Sequence, residues 1–499
     1  MLPAGGKLEQ ARKARDPRFD GRFFIGVRTT GIYCRPVCPV TMPREENVNF
    51  FESAAAASEA GYRPCLRCRP ESAPGMPTWR GSSTTVTRAL KLINDGALDQ
   101  GSVAVLCDRL GVTTRHLAGL FANHLGASPK TVARTRRLQF AKKLIDETSL
   151  AMTEIALSSG YGSVRSFNDH FAQTYSRSPG SLRKTRSASD GSVELKILFR
   201  KPYDFQSLLE FYRIRAIPGV ENVRVGNLRV GNLRVGNLRV GNAAEDNACE
   251  SYERSFVLDG KSGHLSVSQS GNQLVCAVQG GSTDSLMRIM GKVRLMFDVD
   301  AVPEEINSVL CEDRILRRLV KQRPGLRLPG AFDEFEIAVR AIVGQQVSVK
   351  GATTIMGRIA DQYGTETEFG RVFPTPEILA DLDPASLPMP SKRARAIKLL
   401  AVAVADGELG FDMDEQAFYE QLIAIPGIGP WTAQYICLRA LSNPDSFLHG
   451  DLVIRKVAEK ILGVSSEKEL INRAEAWRPW RGYAGMHLWR SSADEIAAK

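Results

Sequence analysis

The sequence contains no run approaching the roughly 18 consecutive apolar residues that a membrane-spanning helix requires. Its opening residues, MLPAGGKLEQARKARD, lack the apolar core of a secretory signal. Neither membrane insertion nor export is expected, and the expected compartment is the cytoplasm. Extremes of composition are missing as well. Of 499 residues 43% are hydrophobic and 24% charged, with 43 Gly and 25 Pro, which excludes wholesale disorder and a fibrous architecture. Cysteine is sparse beyond residue 68, where Cys107, Cys249, Cys276, Cys311 and Cys437 stand singly and read as small buried hydrophobes. At roughly 100 to 200 residues per domain the length predicts three or four domains, each burying its own core.

What the sequence does have is a charge asymmetry. The 66 Lys and Arg outnumber the 55 Asp and Glu, for a net +11. Residues 1–190 hold 28 basic and 16 acidic side chains, a net +12, while the other 309 hold 38 and 39, a net −1. Such an imbalance points to an anionic partner, most simply a nucleic-acid backbone. A basic surface that is merely solvated is the alternative.

The chain divides by composition. A first segment ends in PESAPGMPTWRGSSTT at residues 70–85, a linker by its Pro, Gly, Ser and Thr content. Two helix-turn-helix patterns follow. Leu106 and Leu110 mark one helix, Gly111 a turn, and Leu117, Leu120 and Phe121 the next helix. The pattern recurs with Ile155 and Ala156, a turn at 158–162, and Phe167 and Phe171, the two units being joined by the basic stretch ARTRRLQFAKKLI. After SRSPGSLRKTRSASDGS come alternating strand patterns, VELKILF, RSFVLDG and HLSVSQSGNQLVCAVQG, with a Gly-Asn turn. A tandem RVGNL repeat at 224–243 is too short in period for a solenoid and reads as an expanded surface loop, with an arginine-bearing interaction arm as the alternative. From Pro303 onward helical patterns dominate, with Phe335, Val339, Ile342 and Val343 on one face.

Cys34 and Cys38 are separated by three residues, Cys65 and Cys68 by two, and the pairs by 26. Two close pairs bracketing a domain-sized gap form a tetrahedral zinc signature, against which a disulfide framework is the alternative. The surrounding FIGVRTTGIYCRPVCPVTMPREENVNF and GYRPCLRCRP, within residues 24–70, closely resemble the N-terminal domain of the Ada methylation sensor. That resemblance implies one zinc on Cys34, Cys38, Cys65 and Cys68, with Cys34 as the acceptor that removes a methyl group once from a DNA methylphosphotriester. Loss of one thiolate charge would lower repulsion from DNA phosphates, so methylation would act as a switch.

Residues 84–186 resemble the DNA-binding domain of AraC-type activators, a match carried by the helical spacing and by GYGSVRSFNDHFAQTYSRSPGSLRK. The resemblance implies groove contacts from Arg115 and His116 on the first recognition helix and from Arg165, Ser166 and Asn168 on the second. Simple solvation of an exposed helix face is the alternative for each.

In the C-terminal half LIAIPGIGPWTAQYICL places Gly427 and Gly429 in a turn between two apolar runs, a helix-hairpin-helix that can aim backbone N–H groups at a phosphate. FLHGDLVIRK puts Asp451 at the start of an apolar helix, where an Asp taken alone reads as an N-cap. PGLRLPG, RAIVGQQVSV, the hairpin, Asp451 and AEAWRPWRGYAGMHLW occur in the order found in AlkA-type 3-methyladenine DNA glycosylases, and the resemblance covers residues 193–493. It implies a TATA-binding-protein-like α/β subdomain, a helical bundle and a lesion pocket between them. Asp451 is the implied catalytic carboxylate, and Phe211, Trp431, Tyr435 and Trp489 are the implied pocket aromatics, each of which could otherwise be core. Trp431 stands where lyase relatives carry a Schiff-base lysine, so a monofunctional glycosylase is expected. Leu452 replaces an aromatic after the aspartate, and Gln346 stands where the bacterial prototype inserts a leucine wedge into the gap left by the flipped base.

The expected fold is thus multidomain, mainly α with α+β parts. Its units are a zinc-bound Ada-like domain at 1–75, an AraC-type domain at 84–186, an α/β subdomain at 193–300 and a helix-hairpin-helix glycosylase domain at 301–499. The expected function is excision of alkylated purines such as 3-methyladenine and 7-methylguanine, fused to a methylphosphotriester-sensing activator. Two alternatives stand: a damage-responsive regulator with an inactive glycosylase domain, and a front half that only anchors the enzyme on DNA. Expected partners are double-stranded DNA, at lesions and promoters, and RNA polymerase. The Pro-Cys-His-Arg motif of O6-methylguanine repair is absent, and that activity is not expected.

Overall fold

Short alternating stretches in the first segment build a sheet around the cysteines. The computed structural model describes residues 5–74, 84–183, 192–224 and 250–497. Helix α1 (Gly5–Lys13) precedes strands β1 (Phe24–Val27), β2 (Ile32–Cys34) and β3 (Val48–Phe51), helix α2 (Ala54–Glu59) and the two-residue β4 (Arg63–Pro64). The sheet order is β3-β1-β2-β4, with only β2 and β4 parallel. That parallel register pairs Tyr33 with Pro64, so the residues that follow each, Cys34 and Cys65, emerge side by side.

Six helices follow: α3 (Thr84–Asn94), α4 (Val103–Leu110), α5 (Thr114–Leu125), α6 (Pro129–Glu147), α7 (Met152–Ser158) and α8 (Val164–Tyr175). The N-cap hydroxyls of Ser102, Thr113, Ser128 and Ser163 accept the orphan amides at the starts of α4, α5, α6 and α8. Gly111 ends α4 in the left-handed conformation, φ +69°, which a side chain would resist. Leu117 and Phe121 are buried as expected, while Leu120 is half-buried. Ser158, expected in the second turn, is instead the last residue of α7. Arg137 on α6 ties the two units together, donating to Leu98 O and Asp99 O at 3.2 Å and to Gly160 O at 3.5 Å.

The third unit is a five-stranded antiparallel sheet of order β5-β9-β8-β7-β6, from β5 (Ser192–Leu198), β6 (Glu221–Arg224), β7 (Ser251–Leu258), β8 (Lys261–Ser270) and β9 (Gln273–Gly280), with α9 (Phe205–Arg213) and α10 (Leu286–Met296). Leu195, Ile197, Leu265, Val267, Leu274 and Cys276 are buried, as the alternation predicts. Arg224, the first residue of the RVGNL repeat, ends β6; the rest of the repeat, Cys249, linker residues 75–83 and boundary residues 184–191 lie outside the described residues.

A bundle completes the chain: α11 (Pro303–Leu310), α12 (Arg314–Gln322), α13 (Glu334–Val343), α14 (Val349–Tyr363), the hairpin β10 (Thr365–Thr367) and β11 (Gly370–Val372), α15 (Pro376–Asp381), α16 (Ser391–Ala405), α17 (Glu415–Ala424), α18 (Pro430–Ala440), α19 (Leu452–Val457), α20 (Glu467–Ala474) and α21 (Arg481–Ala497). Among the described residues no helix is long and apolar enough to cross a membrane.

Two expectations about the core fail. Residues 335–343 of α13 are all buried, so this is a central helix rather than one with a single buried face. Its Glu336 survives there by pairing with Arg254 at 2.9 Å. Nor does each unit bury a separate core: Leu138, Leu144, Ile155, Phe167 and Phe171 join Leu195, Val267, Leu274 and Val293 in one continuous cluster. Polar ties add to this, since Arg200, only 2% exposed, donates to Asp20 O at 3.0 Å and to Asp300 O at 3.1 Å. Sequence composition marks the boundary at about residue 190, yet the apolar faces on its two sides have each other as partners.

Candidate functional site

At the end of β2 and the start of the loop after β4 the four cysteines converge. The Sγ atoms of Cys34, Cys38, Cys65 and Cys68 all lie within 4.8 Å of one another, and all four residues are buried. Tetrahedral coordination at about 2.3 Å per Zn–S bond places sulphurs about 3.8 Å apart, so the spacing is that of a single zinc site. Hydrogen bonds with Cys38, Cys65 and Cys68 push the Cys34 thiol up, while the bond with Cys34 leads those that pull Cys38 down to about 7. Four buried sulphurs that cannot all ionise without a cation fit zinc in donor type as well as spacing. Arg35 braces the site: its amide donates to Cys68 Sγ at 3.4 Å, Nη1 to Cys68 O at 3.1 Å, and Nε to Asp20 Oδ1 at 2.8 Å.

Arg115 and His116 on α5, and Arg165, Ser166 and Asn168 on α8, are all exposed. The Arg165 side chain is 94% exposed, with only a 4.0 Å approach to Asp169. These five share an accessible character but belong to two separate helices, and among the described residues no hydrogen bond or ion pair links them with the aspartate site.

Asp451 is the N-cap of α19, and it is more than that. Oδ1 accepts from Val453 N at 2.9 Å and Ile454 N at 3.1 Å, and also from Trp489 Nε1 at 2.9 Å. Oδ2 accepts from Trp431 Nε1 at 3.2 Å. Four N–H donors therefore hold one carboxylate, three on one oxygen and one on the other. Trp431, in the first turn of α18, stacks on Tyr435 one turn later, with centroids 5.5 Å apart and planes at 27°. Leu452 beside the aspartate is 65% exposed.

Behind the aromatics lies a cluster of arginines. Arg439 Nη1 donates to Tyr435 Oη at 2.8 Å, its Nη2 to Gly330 O at 3.0 Å and its Nε to Pro329 O. Its guanidinium also lies 4.7 Å from the Phe211 ring centroid, and that of Arg215 lies 3.7 Å from it. Burial raises the Tyr435 phenol, but Arg439, Arg215 and Arg340 together outweigh it and hold the group below its ordinary 10.0. Arg215, depressed by burial to about 10, stays protonated at neutral pH. Through Arg439, Phe211 and Tyr435 are neighbours; Trp431, Trp489 and Asp451 share direct hydrogen bonds.

Gln346 is exposed at the tip of the α13–α14 loop, with φ +55°. Its neighbour Gln345 joins that loop to the hairpin, donating to Gly427 O and Thr432 Oγ1, both at 2.9 Å. Gly427 and Gly429 are exposed, and Gly427 has φ +98°. Gln345, Arg35, Arg215, Arg340 and Arg439 were not legible as site residues. The available signal was an arginine inside an apolar helix, as in EFEIAVRAIV and PWTAQYICLRA, because such a charge must find partners.

Four family models match consecutive stretches: the metal binding domain of Ada at residues 7–71, a helix-turn-helix domain at 106–185, the AlkA N-terminal domain at 194–333, and the HhH-GPD superfamily of base excision DNA repair proteins at 339–481. A probable bifunctional transcriptional activator/DNA repair enzyme AlkA of Mycobacterium tuberculosis H37Rv is 37% identical over 494 residues, covering 96% of this chain and 95% of that one. DNA-3-methyladenine glycosylase 2 of Escherichia coli K12 is 39% identical over 208 residues, 40% of this chain and 70% of that one. The bifunctional activator/repair enzyme Ada of the same organism is 38% identical over 133 residues, 26% and 36% of the two chains.

Proposed function

Because the chain belongs to the family of bifunctional transcriptional activator/DNA repair enzymes of the AlkA type, we propose that it excises alkylated purines at Asp451 and takes a methyl group from DNA methylphosphotriesters at Cys34. At the first site the N-glycosidic bond of a flipped nucleotide breaks, the base leaves with the bonding electrons, and water attacks C1′ of the sugar and gives up a proton to solvent. A 3-methyladenine or 7-methylguanine base is cationic, departs neutral and requires no proton from the protein. Positive charge moves to the sugar, where the Asp451 carboxylate stabilises it.

The single observation that carries this reading is the set of four donors on that carboxylate. Donors crowd Oδ1 and leave Oδ2 with spare acceptor capacity, so Oδ2 is the oxygen that serves the sugar and the incoming water. Phe211, Trp431, Tyr435 and Trp489 supply the pocket wall for a cationic base. With an indole rather than an amine beside Asp451, no Schiff base forms and the abasic site is left uncut. Gln346 enters the gap in the duplex, and Gly427 and Gly429 bring backbone amides to a phosphate.

In the sensor half the Cys34 sulphur attacks the methyl carbon, an S–C bond forms, the C–O bond breaks, and the phosphodiester leaves as the anion. Cys34, Cys38, Cys65 and Cys68 hold the zinc, which when bound keeps sulphur deprotonated and nucleophilic at neutral pH. Methylation removes one negative charge and strengthens promoter binding through Arg115, His116, Arg165, Ser166 and Asn168. RNA polymerase is the partner an activator requires, and the cytoplasm is the compartment where both halves meet DNA.

The deciding experiment is base release from methylated duplex DNA by wild type and Asp451→Asn, with zinc content measured on the same samples. Catalytic release of 3-methyladenine by wild type alone supports the reading. No release by either, with one zinc bound and DNA binding intact, leaves a damage-responsive regulator.

A further inference from the structure

By bulk charge the C-terminal half makes no electrostatic claim on DNA, since residues 191–499 carry a net −1. Its carboxylates are unevenly placed, however. Three stretches, 337–360, 384–405 and 421–444, contain no Asp or Glu at all and hold eight Lys and Arg between them. Separated in sequence, they meet in the fold. Gln345 of the first stretch donates to Gly427 O of the third at 2.9 Å. Arg393 of the second donates from Nη1 to Val343 O and Gln345 O of the first, both at 3.1 Å. A Cβ built on Gly427 would lie 3.0 Å from Ala396 Cβ and 3.5 Å from Lys392 O, so the hairpin sits directly on the start of α16.

The basic side chains sort by direction. Arg340, Arg393 and Arg439 turn inward to bind carbonyls and Tyr435. Lys350 in the first turn of α14, and Lys392 and Arg395 in the first turns of α16, are exposed, and among the described residues none of them pairs with a carboxylate. Exposed cations on stretches that hold no Asp or Glu, beside a hairpin whose glycines are exposed, present a positive field to one side of the Asp451 site.

We propose that Lys350, Lys392 and Arg395 form a phosphate track flanking the 425–429 hairpin, which takes the duplex backbone beside a lesion independently of the helix-turn-helix half. The track rests on the glycosylase reading for its purpose. Its geometry is rigid, because Gln345 and Arg393 lock the gap loop, the hairpin and α16 into one surface. Each phosphate contact releases about 0.9 of a counterion, so two contacts change the log–log salt slope by about 2.

The test uses the full-length protein and single-turnover release of 3-methyladenine from methylated duplex between about 50 and 200 mM KCl. For Lys392→Glu/Arg395→Glu the protein concentration at half-maximal rate should rise about tenfold or more, the salt slope should shrink by about 2, and the plateau rate should stay at the wild-type value. Lys261→Glu, on the β7–β8 hairpin, should match wild type. A double variant with wild-type half-saturation and slope overturns the track, as does a Lys261→Glu protein that behaves like the double variant. If wild type releases no base, the glycosylase reading fails. The track is then read from the salt slope of binding to a duplex containing an abasic-site analogue, where an unchanged slope in the double variant overturns it.

Discussion

Trp489 donates its indole N–H to Oδ1 of Asp451 at 2.9 Å across 38 residues of sequence. Trp431 does the same to Oδ2 at 3.2 Å from the other side. Two aromatics expected as stacking surfaces are therefore also hydrogen-bond donors that fix the direction of the carboxylate. Replacing Trp489 by Phe keeps a ring and removes the donor. A hydrogen bond to a charged group is worth about 1.5–3 kcal/mol, so the single-turnover excision rate should fall roughly ten- to a hundredfold. An unchanged rate would show that Trp431 and the two backbone amides orient Asp451 without Trp489.

Tyr435→Phe leaves Arg439 Nη1 without its acceptor while Pro329 O and Gly330 O still hold the guanidinium in place. A buried donor stripped of its partner costs about 1–3 kcal/mol. Denaturant unfolding should show that loss, with helical content preserved.

Gly427→Ala introduces a side chain at φ +98° and brings its Cβ within 3.0 Å of Ala396 Cβ. The substitution should destabilise by about 1 kcal/mol or more and weaken binding to lesion-containing duplex, measured by fluorescence anisotropy. Gly429→Ala meets no atom within 4 Å and should leave stability nearly unchanged.

Removing zinc with a strong chelator, or replacing Cys38 by Ser, should abolish stoichiometric zinc and destabilise the β1–β4 sheet, because the site ties β2 and β4 together beside two small apolar clusters around Phe23 and Tyr33. Near-ultraviolet circular dichroism and bound-metal analysis check this. Excision of 3-methyladenine should persist in the Cys38→Ser protein, and its complete loss would mean that the glycosylase half depends on the zinc domain for its fold.

His487 in α21 is 5% exposed, and burial depresses it to about 4 from its ordinary 6.5. A group held neutral in the folded state binds its proton more readily when unfolded. Stability is therefore fully present above about pH 6.5 and is lost as pH falls toward 4. At pH 5 the loss is up to about 2 kcal/mol. The thermal midpoint of wild type should drop more between pH 7 and pH 5 than that of His487→Leu.

What the sequence made legible rests on local signals. The cysteine pairs, Gly111, the hairpin glycines and Asp451 as an N-cap all report constraints that a few neighbouring residues impose, whereas the expected catalytic role of Asp451 came from resemblance. The strands of the α/β subdomain were equally visible, since Leu195, Val267 and Cys276 alternate within single segments. What stayed hidden was relational. The N-cap reading and the catalytic reading of Asp451 compete in sequence, yet its carboxylate has two oxygens, and in three dimensions the amides and the indoles use them together.

Ligand spacing, turn chemistry and periodicity act over short distances, so they determined the four-cysteine cluster, the tandem helix-turn-helix and the strand and hairpin segments, while family resemblance supplied the kinds of unit and the expected role of Asp451. Only the tertiary structure decided that the second helix-turn-helix and the α/β sheet share one core, that Trp431 and Trp489 converge on Asp451, and that Arg215, Arg340 and Arg439 surround Tyr435. The reason is physical: a buried charge or an unpartnered apolar face states a need, and which distant residue meets that need depends on packing that no single segment encodes.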